Sequence, residues 1–199
     1  MPKNRLEAFS DGVIAILITI MVLELRTPNG STWSALREDL PVLLAYILSF
    51  VNLGIYWKNH HHLLVTVHRV SGLTLWANQH LLFWLSLIPF ATAWMSRNHF
   101  APVPTAAYGM VLVAAGLAYV ALQAALVRAE GDDSLLATAI GADVKGKLSL
   151  ILYCFGIGLS FANRWIGIAV YVVVSLMWLV PDRRVERALT QEHRQVPER

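Results

Sequence analysis

The stretch that decides the fold of this chain is Arg5-Leu6-Glu7-Ala8-Phe9-Ser10-Asp11-Gly12-Val13-Ile14-Ala15-Ile16-Leu17-Ile18-Thr19-Ile20-Met21-Val22-Leu23. Its first third carries charged and polar side chains, and the remainder is apolar apart from Thr19. A charge at the end of a membrane helix is costly unless it is paired, faces protein or touches water. The stretch therefore predicts a membrane helix with a polar cluster at one end, and such a cluster is a candidate functional site.

Composition predicts that most of the chain lies in a membrane. Of the 199 residues, 56% are hydrophobic and 15% are charged, and the mean hydropathy is +0.53. A soluble domain carries about 25% charged residues. Apolar spans near the length needed to cross a bilayer recur along the chain. We expect six of them, at Leu6–Leu25, Pro41–His61, Gly72–Ser96, Thr105–Arg128, Gly146–Ala162 and Trp165–Val180.

The predicted fold is all-α, a polytopic membrane protein with six transmembrane helices in residues 1–182 and a polar tail in residues 183–199. Basic residues predict its orientation. Twelve of the sixteen fall on the cytoplasmic side if the amino terminus is cytoplasmic, and four fall outside. We therefore expect both termini and the tail in the cytoplasm of a multi-pass protein of the cell membrane. The net charge of +3 follows from this bias and calls for no nucleic-acid partner.

One face of the first helix forms an apolar stripe. At about 100° per residue, Ile16, Ile20 and Leu23 share this stripe, with Thr19 at its edge. Spacing alone favours a surface that contacts lipid or packs against another helix. The adjacent polar cluster favours a helix turned inward, because its groups need partners inside the bundle. Several copies around one axis would form a hydrophobic constriction that can gate by dewetting, with a ring of threonine hydroxyls.

Three motifs occur in order over about the first half of the chain. The first is Arg5-x-x-x-Phe9-Ser10-Asp11, and the second is Tyr56-Trp57-Lys58-Asn59-His60-His61 at the end of the second span. The third consists of Asn78 and Leu87-Ile88-Pro89-Phe90-Ala91-Thr92. Together they resemble the transmembrane protein 175 family of potassium channels. The second half of the chain agrees with that family only in hydropathy.

The resemblance implies a six-helix subunit that forms a homotetramer in the bilayer and conducts potassium ions passively, without enzymatic activity, cofactor or bound metal. It implies that the first helix lines the pore, with constriction and selectivity at Ile16, Thr19, Ile20 and Leu23. It also implies a polar network that supports this helix, formed by Arg5, Phe9, Ser10, Asp11, Trp57, His61 and Asn78. Gly12 stands where the family pattern has alanine.

Two other functions remain open from the residues alone. A small secondary or proton-coupled carrier would use Asp11 and a histidine as its relay. A di-iron membrane oxygenase would need several histidine pairs as metal ligands. The chain has seven histidines, His99 falls across the predicted membrane from His60, and His193 lies in the tail. The histidines therefore favour an ordinary interfacial cluster over a metal site.

Pro89 lies inside the third predicted span. Proline removes one backbone hydrogen bond of a helix, so we expect a kink there. A static kink that makes room for packing is the ordinary interpretation, and a gating hinge is the functional one.

Overall fold

The computed structural model describes residues 2–67, 69–131, 134, 136–137, 141 and 143–179, and nearly all of these residues are helical. The helices are α1 (Lys3–Val22), α2 (Trp33–Val65), α3 (Gly72–Ser86), α4 (Ile88–Arg97), α5 (Pro102–Glu130), α6 (Val144–Ala162) and α7 (Arg164–Leu179). The all-α prediction is confirmed. Because α3 and α4 together occupy the third predicted span, these helices correspond to the six spans. The tail at residues 183–199 lies outside the described part of the chain.

Three of the described helices, α2, α5 and α6, are long and apolar enough to cross a membrane by length and composition. The other predicted spans do not meet this criterion of length and apolar composition. Helix α1 carries Arg5, Glu7 and Asp11 in its first half, and α7 is apolar but has 16 residues. The third span is divided into two shorter helices.

The division of the third span falls at Leu87, between the end of α3 at Ser86 and the start of α4 at Ile88. Pro89 occupies the first turn of α4. Proline has no N–H to donate to the carbonyl group four residues earlier, so an unbroken helix is disfavoured at this point. The interruption expected at Pro89 is therefore present.

Helix α5 lies at the centre of the bundle and packs against α3, α4, α6 and α7. Its core positions Leu112, Ala115, Ala118 and Leu122 are fully buried. Helix α1 lies at the edge, where it packs against α2, α3 and α4. The position of α1 at the edge leaves part of its surface uncovered in a single copy of the chain.

Helices α6 and α7 form a tight antiparallel hairpin, since only Asn163 separates them. Gly167 on α7 lies against Gly156 and Ser160 on α6, and the Ser160 Oγ donates a hydrogen bond to the Gly156 carbonyl at 2.7 Å. A Cβ atom on Gly167 would lie 2.9 Å from that carbonyl oxygen. The hairpin therefore depends on the absence of a side chain at this position.

We expect Gly167→Ala to destabilise the protein by about 1–3 kcal/mol, because overpacking forces neighbouring backbone apart. The matched control is Gly158→Ala, where a Cβ would meet nothing within 4 Å. That substitution adds helix propensity and should be neutral or slightly stabilising. Thermal unfolding of the two purified variants in detergent measures the difference. Equal melting temperatures would contradict the tight packing at Gly167.

Candidate functional site

Helix α1 has two distinct faces. Leu6, Ser10, Ile14, Leu17 and Met21 are buried against the bundle, at the spacing of one helical face. The opposite face is exposed, and it carries every residue that the sequence predicts for a pore constriction. These residues are Ile16, Thr19, Ile20 and Leu23.

The exposed apolar side chains of this face are large. Ile16 is 57% exposed and Leu23 is 80% exposed, and Phe9 continues the same face toward the amino terminus. The Thr19 hydroxyl donates to the Ile16 carbonyl oxygen at 2.9 Å, so its own oxygen lone pairs remain available as acceptors. We call the surface formed by Phe9, Ile16, Thr19, Ile20 and Leu23 the α1 stripe. Lipid contact would expose the same residues, so their role in a pore stays a prediction.

A first polar contact joins α1 to α2. The Trp57 Nε1–H donates to Asp11 Oδ1 at 3.0 Å, and the Trp57 and His61 rings are stacked with centroids 6.2 Å apart. His61 Nδ1 lies 3.2 Å from Glu7 Oε1. Two carboxylates of α1 thus have hydrogen-bonding partners on α2, as a charge near the end of a membrane helix requires.

A second polar contact is fully buried and joins three helices. The Asn78 Nδ2 donates to Ser10 Oγ at 3.0 Å, and the Ser10 hydroxyl donates to the Leu6 carbonyl. This arrangement leaves Asn78 Oδ1 as the acceptor that faces His60 Nε2 at 2.7 Å, so the proton of His60 lies on Nε2. Hydrogen bonds thus run in a chain from His60 through Asn78 and Ser10 to the Leu6 carbonyl, and the donor and acceptor of each bond are defined.

Two members of the expected network take other positions. Arg5 is exposed, and no hydrogen bond or ion pair joins its side chain to another described residue. Phe9 lies on the α1 stripe rather than among the buried polar groups. The structure thus brings Ser10, Asp11 and Asn78 into contact with partners, together with the Trp57 and His61 side chains described above.

The sequence reasoning missed His60, which bonds to Asn78 and is fully buried. The spacing in the sequence indicates that His60 is buried, because Leu53, His60 and Leu64 recur at helical spacing and share the buried face of α2. The sequence reasoning also missed Glu7, the partner of His61.

A further buried polar cluster links α2 to α4, α5 and α7. Ser49 Oγ lies 2.7 Å from Thr92 Oγ1 and 3.0 Å from the Tyr108 hydroxyl. Asn52 Nδ2 donates to the same Tyr108 oxygen at 3.2 Å, and Asn52 Oδ1 accepts from Ser175. Polar side chains inside apolar spans commonly form such interhelical bonds. None of these residues was predicted as a site residue, although Thr92 belongs to the third sequence motif and Asn52 is a polar residue in an apolar span.

A cavity of about 50 Å³ lies between α2, α5, α6 and α7. Its wall includes Tyr56, Tyr119, Tyr153 and Trp178, and the Tyr119 hydroxyl donates to the Asn59 carbonyl at 3.1 Å. No residue of α1 lines the cavity, so it is separate from the α1 stripe. Within the described residues, no three histidine, cysteine or acidic side chains are grouped so that they could hold a metal ion.

Apolar helices that bury their polar side chains inside a bundle define a multi-pass α-helical membrane protein. The family model described as "Endosomal/lysosomal potassium channel TMEM175" matches residues 5–89. The chain is 53% identical over 191 residues to a protein of Chryseobacterium sp. named a potassium channel. This alignment covers 96% of this chain and all of that relative. The chain is 32% identical over 187 residues to a second protein so named, from Streptomyces collinus, covering 88% of this chain and 91% of the relative.

A similar fold is known from the crystal structure of a lysosomal potassium-selective channel TMEM175 homolog from Chamaesiphon minutus. The two chains are 28% identical and superpose with a TM-score of 0.79, covering 89% of this chain and 96% of the other. The chain belongs to the TMEM175 family of ion channels. The resemblance inferred from the three motifs is thereby confirmed, and so is the expectation that the protein is not an enzyme.

Proposed function

We propose that this chain is the subunit of a homotetrameric, potassium-permeable cation channel of the cell membrane, with both termini in the cytoplasm. Four copies of α1 surround a central pore. The observation that carries the proposal is the α1 stripe, an uncovered row of large side chains on the first helix of a member of this family. Relatives of nearly the same length are named potassium channels.

Conduction through this pore is passive. Rings of Ile16, Ile20 and Leu23 form a hydrophobic constriction, and water leaves such a constriction when it is narrow, which blocks ions. When the rings widen, ions cross with part of their hydration shell. The Thr19 oxygens face the same side and can replace some of that water. Weak oxygen donors and pore width discriminate modestly between potassium and sodium, since the spans contain no Thr-Val-Gly-Tyr-Gly sequence.

The polar contacts that join α1 to α2 and α3 supply the rigidity that a pore helix needs. Trp57 binds Asp11 near the cytoplasmic end, and Asn78 binds Ser10 from the adjacent helix α3. Polar groups with satisfied partners fix a unique arrangement, because any displacement strands a donor or acceptor in a medium without water. These side chains therefore position the constriction and do not touch the ion.

Purified protein in liposomes with a potassium gradient tests the proposal. We expect flux that follows the gradient in either direction, depends on no coupled ion and is missing from protein-free vesicles. Asp11→Asn separates the channel from a carrier that uses Asp11 as its relay. The asparagine oxygen still accepts from Trp57, so the channel should retain flux within about threefold of the native value. Loss of all flux in this variant, with the folded protein retained, would support the carrier.

A further inference from the structure

Between their charged ends, the exposed side chains of α5, α6 and α7 are apolar apart from Cys154, as contact with lipid requires. Their exposed side chains include Met110, Leu117, Ile151, Phe155, Val173 and Leu176. Hydrocarbon offers no hydrogen bonds, so polar groups are kept away from surfaces of this kind. An exposed polar side chain in the middle of a span is therefore unexpected on a surface that contacts lipid.

The outward face of α3 differs from this pattern. Trp76 and Phe83 are exposed, and Gln79 and His80 are exposed between them on the same side of the helix. We call the surface formed by these four residues the α3 face. It combines large aromatic rings with two polar side chains.

The two polar residues of the α3 face lie at hydrocarbon depth. The span from Gly72 to Arg97 is helical apart from one residue, so it is about 39 Å long, against an apolar layer of about 30 Å. His80 lies eight residues after Gly72, or about 12 Å along this length. It is therefore roughly 7 Å inside the apolar layer when the span is centred.

At this depth, the side chain of His80 has a hydrogen-bond donor without an acceptor among the described residues. Trp84 Nε1–H donates to His80 Nε2 at 2.9 Å. Since Nε2 is the acceptor, the neutral ring of His80 carries its proton on Nδ1. No other described residue accepts from this Nδ1–H, and the Gln79 amide likewise has no partner in the described part of the chain. A donor left bare in hydrocarbon is costly, so lipid chains do not fit this surface.

We propose that the α3 face contacts the next copy of the chain, and that His80 Nδ1–H donates to an oxygen atom of that copy. The inference rests on the proposed function, because α3 packs directly beside α1. A ring of copies around α1 brings the helices that flank it against the neighbouring subunit. A closed ring uses two different faces of each subunit, so the α3 face need not meet its own equivalent.

Site-specific photo-crosslinking tests the contact between the α3 face and the next copy, with a probe that resembles the phenylalanine it replaces. Benzoylphenylalanine replaces Phe83 in one protein and Phe155 in a matched control, whose side chains are 54% and 63% exposed. Illumination in liposomes should give covalent dimers and higher species from position 83 and only monomers from position 155. Monomers alone from both positions, or a lipid adduct at position 83, would overturn the proposal.

The hydrogen bond is tested separately by His80→Phe, which keeps an aromatic ring and removes the donor. Dilution of detergent-solubilised oligomers should show an apparent dissociation constant raised about fivefold, as expected for one interhelical hydrogen bond. Unchanged association would refute the role of His80. Potassium flux measured in the same vesicles distinguishes the two proposals: flux with no crosslinking at position 83 refutes this contact alone, and crosslinking without flux refutes the channel alone.

Discussion

Ile16→Ala is expected to raise the potassium flux of reconstituted protein by about tenfold or more. In the proposed tetramer, each substitution acts four times in one ring, widening the constriction and reducing the apolar surface that expels water. A fall of about 1.4 kcal/mol in the barrier is enough for a tenfold increase in rate. Discrimination between potassium and sodium should fall at the same time, because a wider pore removes less water from the ion.

The matched control for Ile16→Ala is Ile151→Ala on α6, since the two isoleucines are 57% and 54% exposed in the protomer. Ile151 lies on the outward apolar face of α6, so its truncation should leave flux unchanged.

Ile16→Asn is a second test of the constriction, because asparagine changes the polarity of the ring more than its size. It should raise flux by keeping the constriction wet. Equal flux in the native protein and in both Ile16 variants would remove Ile16 from the pore.

The fold was predictable because membrane spans follow directly from runs of apolar residues. The interruption near Pro89 was predictable as a kink, since proline removes a helical hydrogen bond, although Pro41 lies inside α2 without ending that helix. The stripe on α1 followed from helical spacing, which needs no knowledge of neighbouring helices. What spacing does not reveal is whether lipid or a second copy of the chain covers that stripe.

The polar contacts were only partly predictable, because they join residues far apart in sequence. Asn52 and Ser175 are 123 positions apart, and neither lies in a motif. Two neighbouring histidines show the same limit: His60 faces the core and Asn78, while His61 faces Glu7. Adjacent residues on a helix point about 100° apart, so a one-residue error in the orientation of α2 exchanges their roles.

Asn78→Leu is expected to reduce the free energy of unfolding by about 2–3 kcal/mol. Asn78 both donates to Ser10 and accepts from His60, and both of these partners are fully buried. Leucine has a similar size but leaves the His60 N–H without an acceptor. His60 Nδ1 already has no partner, so the whole imidazole ring would then be buried without a hydrogen bond. Stranding a buried donor costs more than the net gain of the bond it made.

Thermal unfolding in detergent and potassium flux in liposomes together separate the consequences of Asn78→Leu. The control is Asn98→Leu, because Asn98 is exposed at the end of α4 and its side chain bonds only to the Trp94 carbonyl of that helix. It should change stability by less than about 0.5 kcal/mol. Since Asn78 holds α1 through Ser10, its loss should also reduce flux at temperatures where the protein remains folded. Native stability and native flux in Asn78→Leu would show that the link between α1 and α3 does not position the constriction.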